Sequence, residues 1–411
     1  MNTMECRSSK AGPETGLKFE AWRKALHGSH DGTWDEESLF NSGFGQELVR
    51  TNELRFRFEE DTMGDEVLSF YRELGVRKEF FTGPDFYDRW MLFTPLEAEK
   101  DPAAQTKYPL VFWNHGGGNA IETDEFSVHF SQMVGKEKFI LVMLQDTRWE
   151  RVNEKIDKVA ALYPVDFERI YVAGYSQGGQ AAHSALLRIP QRLAAAAPCG
   201  AEIFQQWDHL DVRYTVPELL NLRHHFVPTM EMTGVCEFLT FLPVNHYRPI
   251  CMNPPEEGAA ITTYNVPGHD RDKDPTNPPG KRADKPFPPE GCNDEAADRW
   301  KLSRLNLRMF VQHCAPRDEN ICLGYRNTPD DVLHHKLGFY GDEETIKMIG
   351  GVPHYIADIK NSDGILAFRY CGIDNFPHWP SPYLAELTWD FLRRYRRDSK
   401  TGRIVEDPYR P

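Results

Sequence analysis

The sequence lacks any long apolar run. No stretch of its 411 residues approaches the ~20 consecutive apolar residues that a membrane-spanning helix needs. The first 26 residues carry charges of both signs and no apolar core, so they do not read as a secretory signal. We therefore expect a protein without a membrane-spanning helix and, by default, a cytoplasmic location.

Positive charge is scarce as well. Lys and Arg number 48 against 62 Asp and Glu, which gives a formal net charge of −14. Such a surface would repel a nucleic-acid backbone or an anionic membrane, so we expect neither as a partner. The one basic run, residues 393–397, lies at the end of a predicted closing helix, where cations complement exposed carbonyl groups.

Closely paired cysteines are also missing. None of the eight cysteines belongs to a C-x-x-C pair, so their spacing indicates neither a zinc site nor a dense disulfide framework. We favour free thiols, while an even number in the C-terminal half would also suit disulfides in an exported protein. The cysteines are Cys6, Cys199, Cys236, Cys251, Cys292, Cys314, Cys322 and Cys371.

The sequence divides into two regions with different patterns of apolar and polar residues. Residues 1–85 form a predicted N-terminal extension, with a helix over 14–27 and short alternating strands over 54–58, 67–71 and 78–81. A further strand is predicted over 89–93. Residues 86–411 form the predicted main domain. Within it, residues 252–292 are crowded with proline, glycine and charge, so we expect an inserted lid or loop at about 243–300.

The main domain alternates apolar runs with helical stretches. Runs that are apolar on both faces suit the central strands of a parallel sheet that helices cover. These predicted strands cover residues 109–113, 139–144, 170–173, 193–198, 227–232 and 365–370. Helices are predicted over 153–162 and 179–188, with a closing helix over about 382–397. This alternation predicts an α/β fold with a mostly parallel, doubly wound sheet.

A G-x-S-x-G pattern follows one of these strands. Ser176, between Gly174 and Gly178, comes directly after the strand over 170–173 and just before a helix. In that context the pattern is typical of a nucleophile elbow, in which glycines permit a turn too sharp for side chains. The serine hydroxyl would then project above the sheet at a helix N-terminus. Ser176 is therefore the candidate nucleophile.

A glycine-rich loop follows an earlier strand, in the sequence Trp-Asn-His-Gly-Gly-Gly-Asn over 113–119. Acyl transfer needs two N–H donors aimed at the developing oxyanion, and glycines allow the backbone to approach closely. We expect these donors to be the N–H groups of Gln177 and Gly117. No Lys-Ser/Thr follows the loop, so it does not form a P-loop. His115 is interpreted as a structural loop residue.

The catalytic base should follow the last strand, in the chain order serine, acid, histidine. His378 follows the strand over 365–370 and precedes the closing helix. The acid is expected after the strand over 227–232, where Glu237 would orient and stabilise the imidazole. Asp358, Asp363 and Asp374 remain rivals for that role because they lie close to His378 in the sequence.

Together these residues resemble the polyhydroxybutyrate depolymerase-like and feruloyl/acetylxylan esterase-like branch of the α/β-hydrolases. The similarity runs from residue 88 to residue 397 and includes the His-Trp-Pro sequence at 378–380. In that family, a serine, an acid in a His-Gly-x-x-Asp turn and this histidine form the triad. The resemblance thus implies roles for Ser176 and His378, while Glu237 stands where the family usually has aspartate.

The sequence therefore predicts a serine carboxylesterase that acts on feruloyl, acetyl or hydroxyalkanoate esters, small or oligomeric, without a metal or organic cofactor. Trp379, Tyr175 and Phe376 are candidate walls of the substrate pocket. A serine peptidase of the prolyl-oligopeptidase type is one alternative, although no blade repeat of about 40 residues is present. A non-catalytic binding protein on the same fold is another. The oligomeric state stays open.

Overall fold

A ten-stranded sheet organises the chain in this computed structural model, which describes residues 18, 20–23, 26, 35–201, 215–235, 305–317 and 341–411. The strands of the sheet are β1 (Val76–Phe81), β2 (Trp90–Pro95), β3 (Tyr108–Asn114), β4 (Ile140–Leu144), β5 (Val165–Tyr175), β6 (Ala195–Cys199), β7 (Thr229–Gly234), β8 (Glu343–Ile349), β9 (Val352–Lys360) and β10 (Leu366–Ile373). A separate two-stranded ribbon consists of β11 (Tyr395–Arg397) and β12 (Ile404–Glu406).

Helices cover both faces of this sheet. They are α1 (Glu36–Asn41), α2 (Gly43–Phe58), α3 (Asp65–Glu73), α4 (Ile121–Ser127), α5 (Phe130–Glu137), α6 (Trp149–Ala160), α7 (Gln177–Arg188), α8 (Val216–His224) and α9 (Leu384–Leu392). Residues 305–311 and the described residues between 18 and 26 are also helical, and two short 3₁₀ turns span Phe86–Asp88 and Pro190–Arg192.

The strand order is β1-β2-β4-β3-β5-β6-β7-β10-β9-β8. The six central strands from β4 to β10 are parallel, while β1 and β2 on one edge and β9 and β8 on the other are antiparallel. This is the α/β-hydrolase fold, so the predicted parallel sheet with an N-terminal antiparallel extension is confirmed. Because parallel strands share one carboxyl edge, the loops after β3, β5, β7 and β10 emerge on the same side.

Two apolar cores lie on the two faces of the sheet. Successive residues of β3 alternate between them: Val111 and Trp113 enter the core beneath the N-terminal helices and α9, and Leu110 and Phe112 enter the core beneath α6, α7 and α8. Each strand from β2 to β4 is buried along its whole length, as is β6. A strand covered on both faces is apolar throughout, which is why these strands could be predicted.

Two of the predicted N-terminal strands are wrong. Residues 54–58 form the last turns of α2, and residues 67–71 lie within α3. In α2 the buried side chains recur at helical spacing from Phe44 through Leu48 to Phe56, and the Ser42 side chain caps the first turn by accepting from Gly45 N–H. A helical period sustained over 16 residues outweighs a five-residue alternation.

The predicted closing helix is too long, and the role assigned to the basic run is wrong. Helix α9 ends at Leu392, and residues 395–397 pair with β12 as strand β11. Arg397 is buried and donates to the carbonyl oxygens of Leu193 (2.9 Å), Pro190 (3.0 Å) and Phe226 (2.9 Å), all outside α9. The cation thus satisfies three carbonyl groups in two other segments rather than those of its own helix.

Some sequence predictions lie outside the described residues. These are the inserted lid at about 243–300 and five of the eight cysteines. The three described cysteines, Cys199, Cys314 and Cys371, are free. The antiparallel hairpin of β8 and β9 was not predicted, and β1 joins the main sheet although it precedes residue 85. Within the described ranges, no helix has the length and apolar character needed to cross a bilayer.

Two buried histidines predict an acid-labile fold. Burial lowers the pKa of His129 to about 4 and that of His354 to about 4. Between about pH 6.5 and pH 4 the unfolded chain binds protons at these rings that the folded chain does not, so stability falls as the pH falls. Each ring contributes a loss of about 3 kcal/mol over this range.

The measurement is the free energy of unfolding by urea at pH 8, 6, 5 and 4. We expect His129→Asn and His354→Phe each to reduce the pH dependence of the free energy of unfolding by the equivalent of about one bound proton. Asparagine tolerates the left-handed backbone at position 129. Tyr71→Phe, which removes a buried hydrogen bond to Ser131 but no imidazole, should lower stability and keep the slope. An unchanged slope in both histidine variants would contradict the prediction.

Candidate active site

Ser176 stands on a strained turn between β5 and α7. Its backbone dihedrals are φ 56° and ψ −118°, a conformation that non-glycine residues adopt at a cost and that is enriched at functional sites. A methyl group at Gly174 would lie 2.3 Å from the Gly178 carbonyl oxygen, and one at Gly178 would lie 1.9 Å from that of Asn114. The two glycines of the pattern are therefore required by space, as expected for a nucleophile elbow.

His378 reaches Ser176 from the loop that follows β10. Its Nε2 atom lies 2.8 Å from Ser176 Oγ, although 202 residues separate the two in the chain. The imidazole packs against the ring of Tyr175, with centroids 5.2 Å apart. This distance allows direct proton transfer between hydroxyl and imidazole, which is the first requirement for a nucleophile and its base.

The loop after β3 lies directly against the elbow. A methyl group at Gly116 would lie 3.7 Å from the Tyr175 carbonyl oxygen and 3.8 Å from Ser176 Cβ. Asn119 N–H donates to the Gly116 carbonyl (3.2 Å) and closes a turn, in which Gly118 has a φ of 77°. The glycine loop and the N-terminus of α7, which begins at Gln177, therefore approach each other beside Ser176.

His115 is part of the structure of this loop. Its Nδ1 atom lies 2.8 Å from the Gly116 carbonyl oxygen, and its Nε2 lies 3.1 Å from Nε2 of Gln145. The tautomer protonated at Nδ1 donates to this carbonyl and accepts from the Gln145 amide at Nε2, whereas the tautomer protonated at Nε2 donates to the Gln145 carbonyl oxygen, 3.1 Å away. The Gln145 side chain also donates to Asn119 O and accepts from Ile121 N–H, so it ties both ends of the loop together.

Asp124 supports the same loop from the interior of the protein. It accepts from the Trp113 indole N–H (3.0 Å) and from Nδ2 of Asn119 (3.1 Å). Burial raises the pKa of this carboxyl, and the nearby His115 and its two hydrogen-bond donors counter the effect. Sequence reasoning missed Asp124, since no motif marks a carboxylate that acts only through two neighbours on the loop.

Glu237, the predicted triad acid, lies outside the described residues, which end at Val235 in this part of the chain. The described end of β7 does approach the histidine loop (residues 374–380). A methyl group at Gly234 would lie 2.0 Å from the Phe376 carbonyl oxygen and 2.6 Å from that of Pro377. Val235 N–H also donates to Ile373 O at 2.8 Å. The turn after β7 therefore begins beside this loop.

The three rival acids differ in position. Asp358 forms two hydrogen bonds with Arg369 across β9 and β10, at 2.7 and 2.6 Å, so its carboxylate is committed there. Asp363 is exposed and precedes β10, at the end of the strand opposite to His378. Asp374 follows β10 directly, and its N–H donates to Pro353 O. Among the rivals, only Asp374 shares the edge of the sheet with His378.

Two of the three candidate pocket walls are buried, and the third, Trp379, is half-buried. Phe376 has no exposed surface and packs edge-on against Phe44, with ring centroids 5.0 Å apart. Trp379 packs against Trp22 at 6.2 Å. Tyr175 is 4% exposed and lies against His378. These contacts place the three side chains in the packing around the histidine loop, and their role as walls of a substrate pocket stays a prediction.

The described residues contain no group of three or more His, Cys, Asp or Glu side chains arranged to hold a metal ion. No known family model matches the chain. A curated protein with detectable similarity is a bifunctional acetylxylan esterase/xylanase from Neocallimastix patriciarum, 28% identical over 111 residues. This match covers 23% of the chain and only 16% of the length of that relative.

Several solved structures are similar to part of this chain. One is FphF, a fluorophosphonate-binding serine hydrolase of Staphylococcus aureus, at 15% identity over 39% of this chain and 78% of that one, with a TM-score of 0.32. Another is the feruloyl esterase module of Clostridium thermocellum, at 16% identity over 39% of this chain and 67% of that one (TM-score 0.29). An esterase of Pyrobaculum calidifontis is 16% identical over 46% of this chain and 76% of that one (TM-score 0.29).

Proposed function

We propose that this chain is a serine carboxylesterase in which Ser176 is the nucleophile and His378 the general base. The observation that carries the proposal is the 2.8 Å distance between Ser176 Oγ and His378 Nε2, at an elbow where the serine backbone is strained. Nucleophilic acyl transfer requires a base within hydrogen-bond reach of the attacking oxygen, and a strained elbow is where this fold carries its nucleophile.

In the proposed reaction, His378 removes the Ser176 proton as Oγ attacks the ester carbonyl carbon. The negative charge that develops on the carbonyl oxygen is stabilised by the backbone N–H groups of Gln177 and Gly117. The bond between the carbonyl carbon and the alcohol oxygen then breaks as His378 gives its proton to that oxygen. The alcohol departs, and an acyl-enzyme remains. Water, deprotonated by the same histidine, attacks the acyl carbon. The bond between that carbon and Ser176 Oγ then breaks, His378 returns the proton to Oγ, and the acid is released.

Glu237 is our proposed acid, since it follows β7 in the chain order that this fold uses and the end of β7 contacts the histidine loop. Its carboxylate would accept the second imidazole N–H, fix the tautomer and stabilise the imidazolium. The backbone approach of Gly234 to Phe376 O supports a short path from the β7 turn to His378.

For the substrate we propose short-chain or aromatic carboxylic esters, with acetyl and feruloyl esters as the first candidates. The similarity to 16% of the length of a bifunctional acetylxylan esterase/xylanase supports the acetyl group as the first to test. The acidic surface of the chain, with a net charge of −14, favours neutral esters over anionic ones because it repels negative substrates.

The test combines covalent labelling with a panel of substrates. We expect a fluorophosphonate to modify the chain once, with mass spectrometry locating the adduct on the peptide that contains Ser176. We also expect p-nitrophenyl acetate and methyl ferulate to be hydrolysed, and an aminoacyl p-nitroanilide to be cleaved far more slowly. Absence of the adduct would refute a catalytic serine and favour a binding protein, and faster cleavage of the anilide would favour a peptidase.

A further inference from the structure

The histidine loop touches a part of the chain that the family resemblance does not cover. We propose that the N-terminal helical segment, meaning the described residues between 18 and 58, positions His378 for catalysis through contacts on both sides of that residue. The inference rests on the proposed function, because it assumes that His378 is the base. It makes Asn375 and Trp22 positioning residues, and neither touches the reacting atoms.

The first contact is a reciprocal pair of hydrogen bonds. Asp35 N–H donates to Oδ1 of Asn375 at 2.7 Å, and Nδ2 of Asn375 donates to the Asp35 carbonyl at 2.8 Å. One side-chain amide thus binds both backbone groups of a residue 340 positions away. Asn375 adopts a φ of 46°, a left-handed conformation that asparagine tolerates better than most residues. The bonds therefore lock a turn three residues before His378.

Two aromatic contacts hold the loop on either side of His378. Trp22, only 4% exposed, packs edge-on against Trp379, the residue that follows His378. Phe44 of α2 packs edge-on against Phe376, two residues before it. Edge-to-face pairs of this kind stabilise a specific geometry in addition to burying apolar area. The segment thereby restrains the loop both before and after the imidazole.

The N-terminal segment is itself fixed to the sheet. Phe44 N–H donates to Gly350 O at 2.7 Å, in the turn between β8 and β9. The same hairpin holds the start of the histidine loop through the hydrogen bond from Asp374 N–H to Pro353 O. The sheet thus positions Asp374 and the N-terminal segment positions Asn375 to Trp379. A displacement of about 1 Å at a catalytic group can cost about 100-fold in rate, so these contacts have a kinetic consequence.

The experiment uses the full chain and compares Asn375→Ala, Asn375→Gly, Trp22→Phe and Trp22→Ala. Glycine adopts the left-handed conformation without strain, so Asn375→Gly removes the hydrogen bonds to Asp35 while sparing the backbone. We expect kcat for p-nitrophenyl acetate and the rate of fluorophosphonate labelling to fall together, about 10-fold in both Asn375 variants and up to about 100-fold in Trp22→Ala. KM should stay within about twofold, since the substrate contacts are intact.

The matched control is Tyr71→Phe, which removes a buried hydrogen bond in α3 away from the histidine loop. All rates are measured well below each variant's melting temperature, and Trp22→Phe keeps an aromatic ring should Trp22→Ala fail to fold. The control should lower the melting temperature and leave kcat unchanged. Full kcat in Asn375→Gly and Trp22→Phe, with a lowered melting temperature, would overturn the proposal and leave the segment a purely structural role.

The two proposals fail in distinguishable ways. If the parent chain neither hydrolyses esters nor accepts a fluorophosphonate on Ser176, the proposed function is refuted and the positioning role is refuted with it. If the parent is active and labelled on Ser176 while the Asn375 and Trp22 variants keep its kcat, only the positioning role is refuted.

Discussion

Replacing Ser176 or His378 with alanine is expected to lower kcat for ester hydrolysis by about 10⁶-fold, the loss seen when either member of such a pair is removed. The reason is geometric, since the two side chains lie 2.8 Å apart and act as one unit. Without His378, the hydroxyl has no base to take its proton. Without Ser176, the imidazole has no nucleophile to activate. The measurement is kcat for p-nitrophenyl acetate, with far-ultraviolet circular dichroism to verify folding.

The double variant gives the sharper result. Because each single change already disables the unit, Ser176→Ala/His378→Ala should lose no more than either single variant. Losses that multiply would show two independent contributions and contradict the proposed pair. The matched control is His224→Ala, at the exposed end of α8, which should keep full kcat. A residual kcat above about 1% in either single variant would also exclude a shared mechanism of this kind.

The same assay identifies the acid. A carboxylate-to-amide change keeps the shape of the side chain but stabilises the wrong imidazole tautomer, and it costs about 10⁴-fold in kcat. We expect this loss in Glu237→Gln and less than about tenfold in Asp374→Asn. The reverse result would transfer the role to Asp374, which shares the edge of the sheet with His378. Asp358→Asn serves as the control, since its carboxylate is bound to Arg369.

The central fold could be predicted because its signals are local. Each parallel strand is buried on both faces, and the elbow at Ser176 is defined by five consecutive residues that follow such a strand. The position of His378 followed from chain order alone. Such patterns can be recognised in the sequence because residues that are neighbours in the chain form them.

The N-terminal extension was mispredicted because its apolar residues fit both the period of a strand and the period of a helix. In residues 54–58 the apolar side chains alternate, yet Phe56 also continues the helical series from Phe44 and Leu48. The guanidinium groups of Arg55 and Arg57 lie over the rings of Phe56 and Phe58, about 5.0 and 4.8 Å from their centroids. Aliphatic stems and cation–π contacts let charged residues sit between aromatic ones on a helix.

Other features depend on partners far apart in the chain. The bonds between Asp35 and Asn375 join residues 340 positions apart, and no pattern in either segment indicates the other. The hairpin of β8 and β9 was missed for a different reason: the apolar-polar alternation of β8 covers only residues 345–348, and this exposed edge strand has no buried apolar face. Sequence reasoning therefore supplied the proposed nucleophile and base but not the contacts that hold their loop.

A buried ion pair carries the largest stability effect that we expect. Lys78 of β1 and Glu125 of α4 form a salt bridge of 2.5 Å, and neither side chain has any exposed surface. Thr62 completes the cluster: its hydroxyl donates to Glu125 at 2.5 Å, and its carbonyl accepts from Lys78 at 2.5 Å. The pair links strand β1 to helix α4, and its partners are 47 residues apart in the chain.

Removing one partner leaves a buried charge without its counter-ion. We therefore expect Glu125→Leu or Lys78→Met alone to lower the free energy of unfolding by about 3–5 kcal/mol, a large part of the 5–15 kcal/mol typical of a folded protein. The double variant, which replaces both charges with apolar side chains of similar size, should cost less than either single change. Urea unfolding at pH 7.5 measures all three, and a cost below about 1 kcal/mol for Glu125→Leu would contradict the prediction.

The loss of stability in the two single variants should depend on pH with opposite signs. Burial lowers the pKa of Lys78 and raises that of Glu125, and in the intact pair the partner's charge counters each shift. In Glu125→Leu, the unfolded chain holds a proton on Lys78 more tightly than the folded chain does, so the loss of stability relative to the parent shrinks as the pH rises toward 10. In Lys78→Met, the folded chain holds a proton on Glu125 more tightly, so the loss shrinks as the pH falls toward 5. If the stability losses of the two variants change with pH in the same way, lost packing accounts for them. If they change in opposite directions, the unpaired buried charge accounts for them.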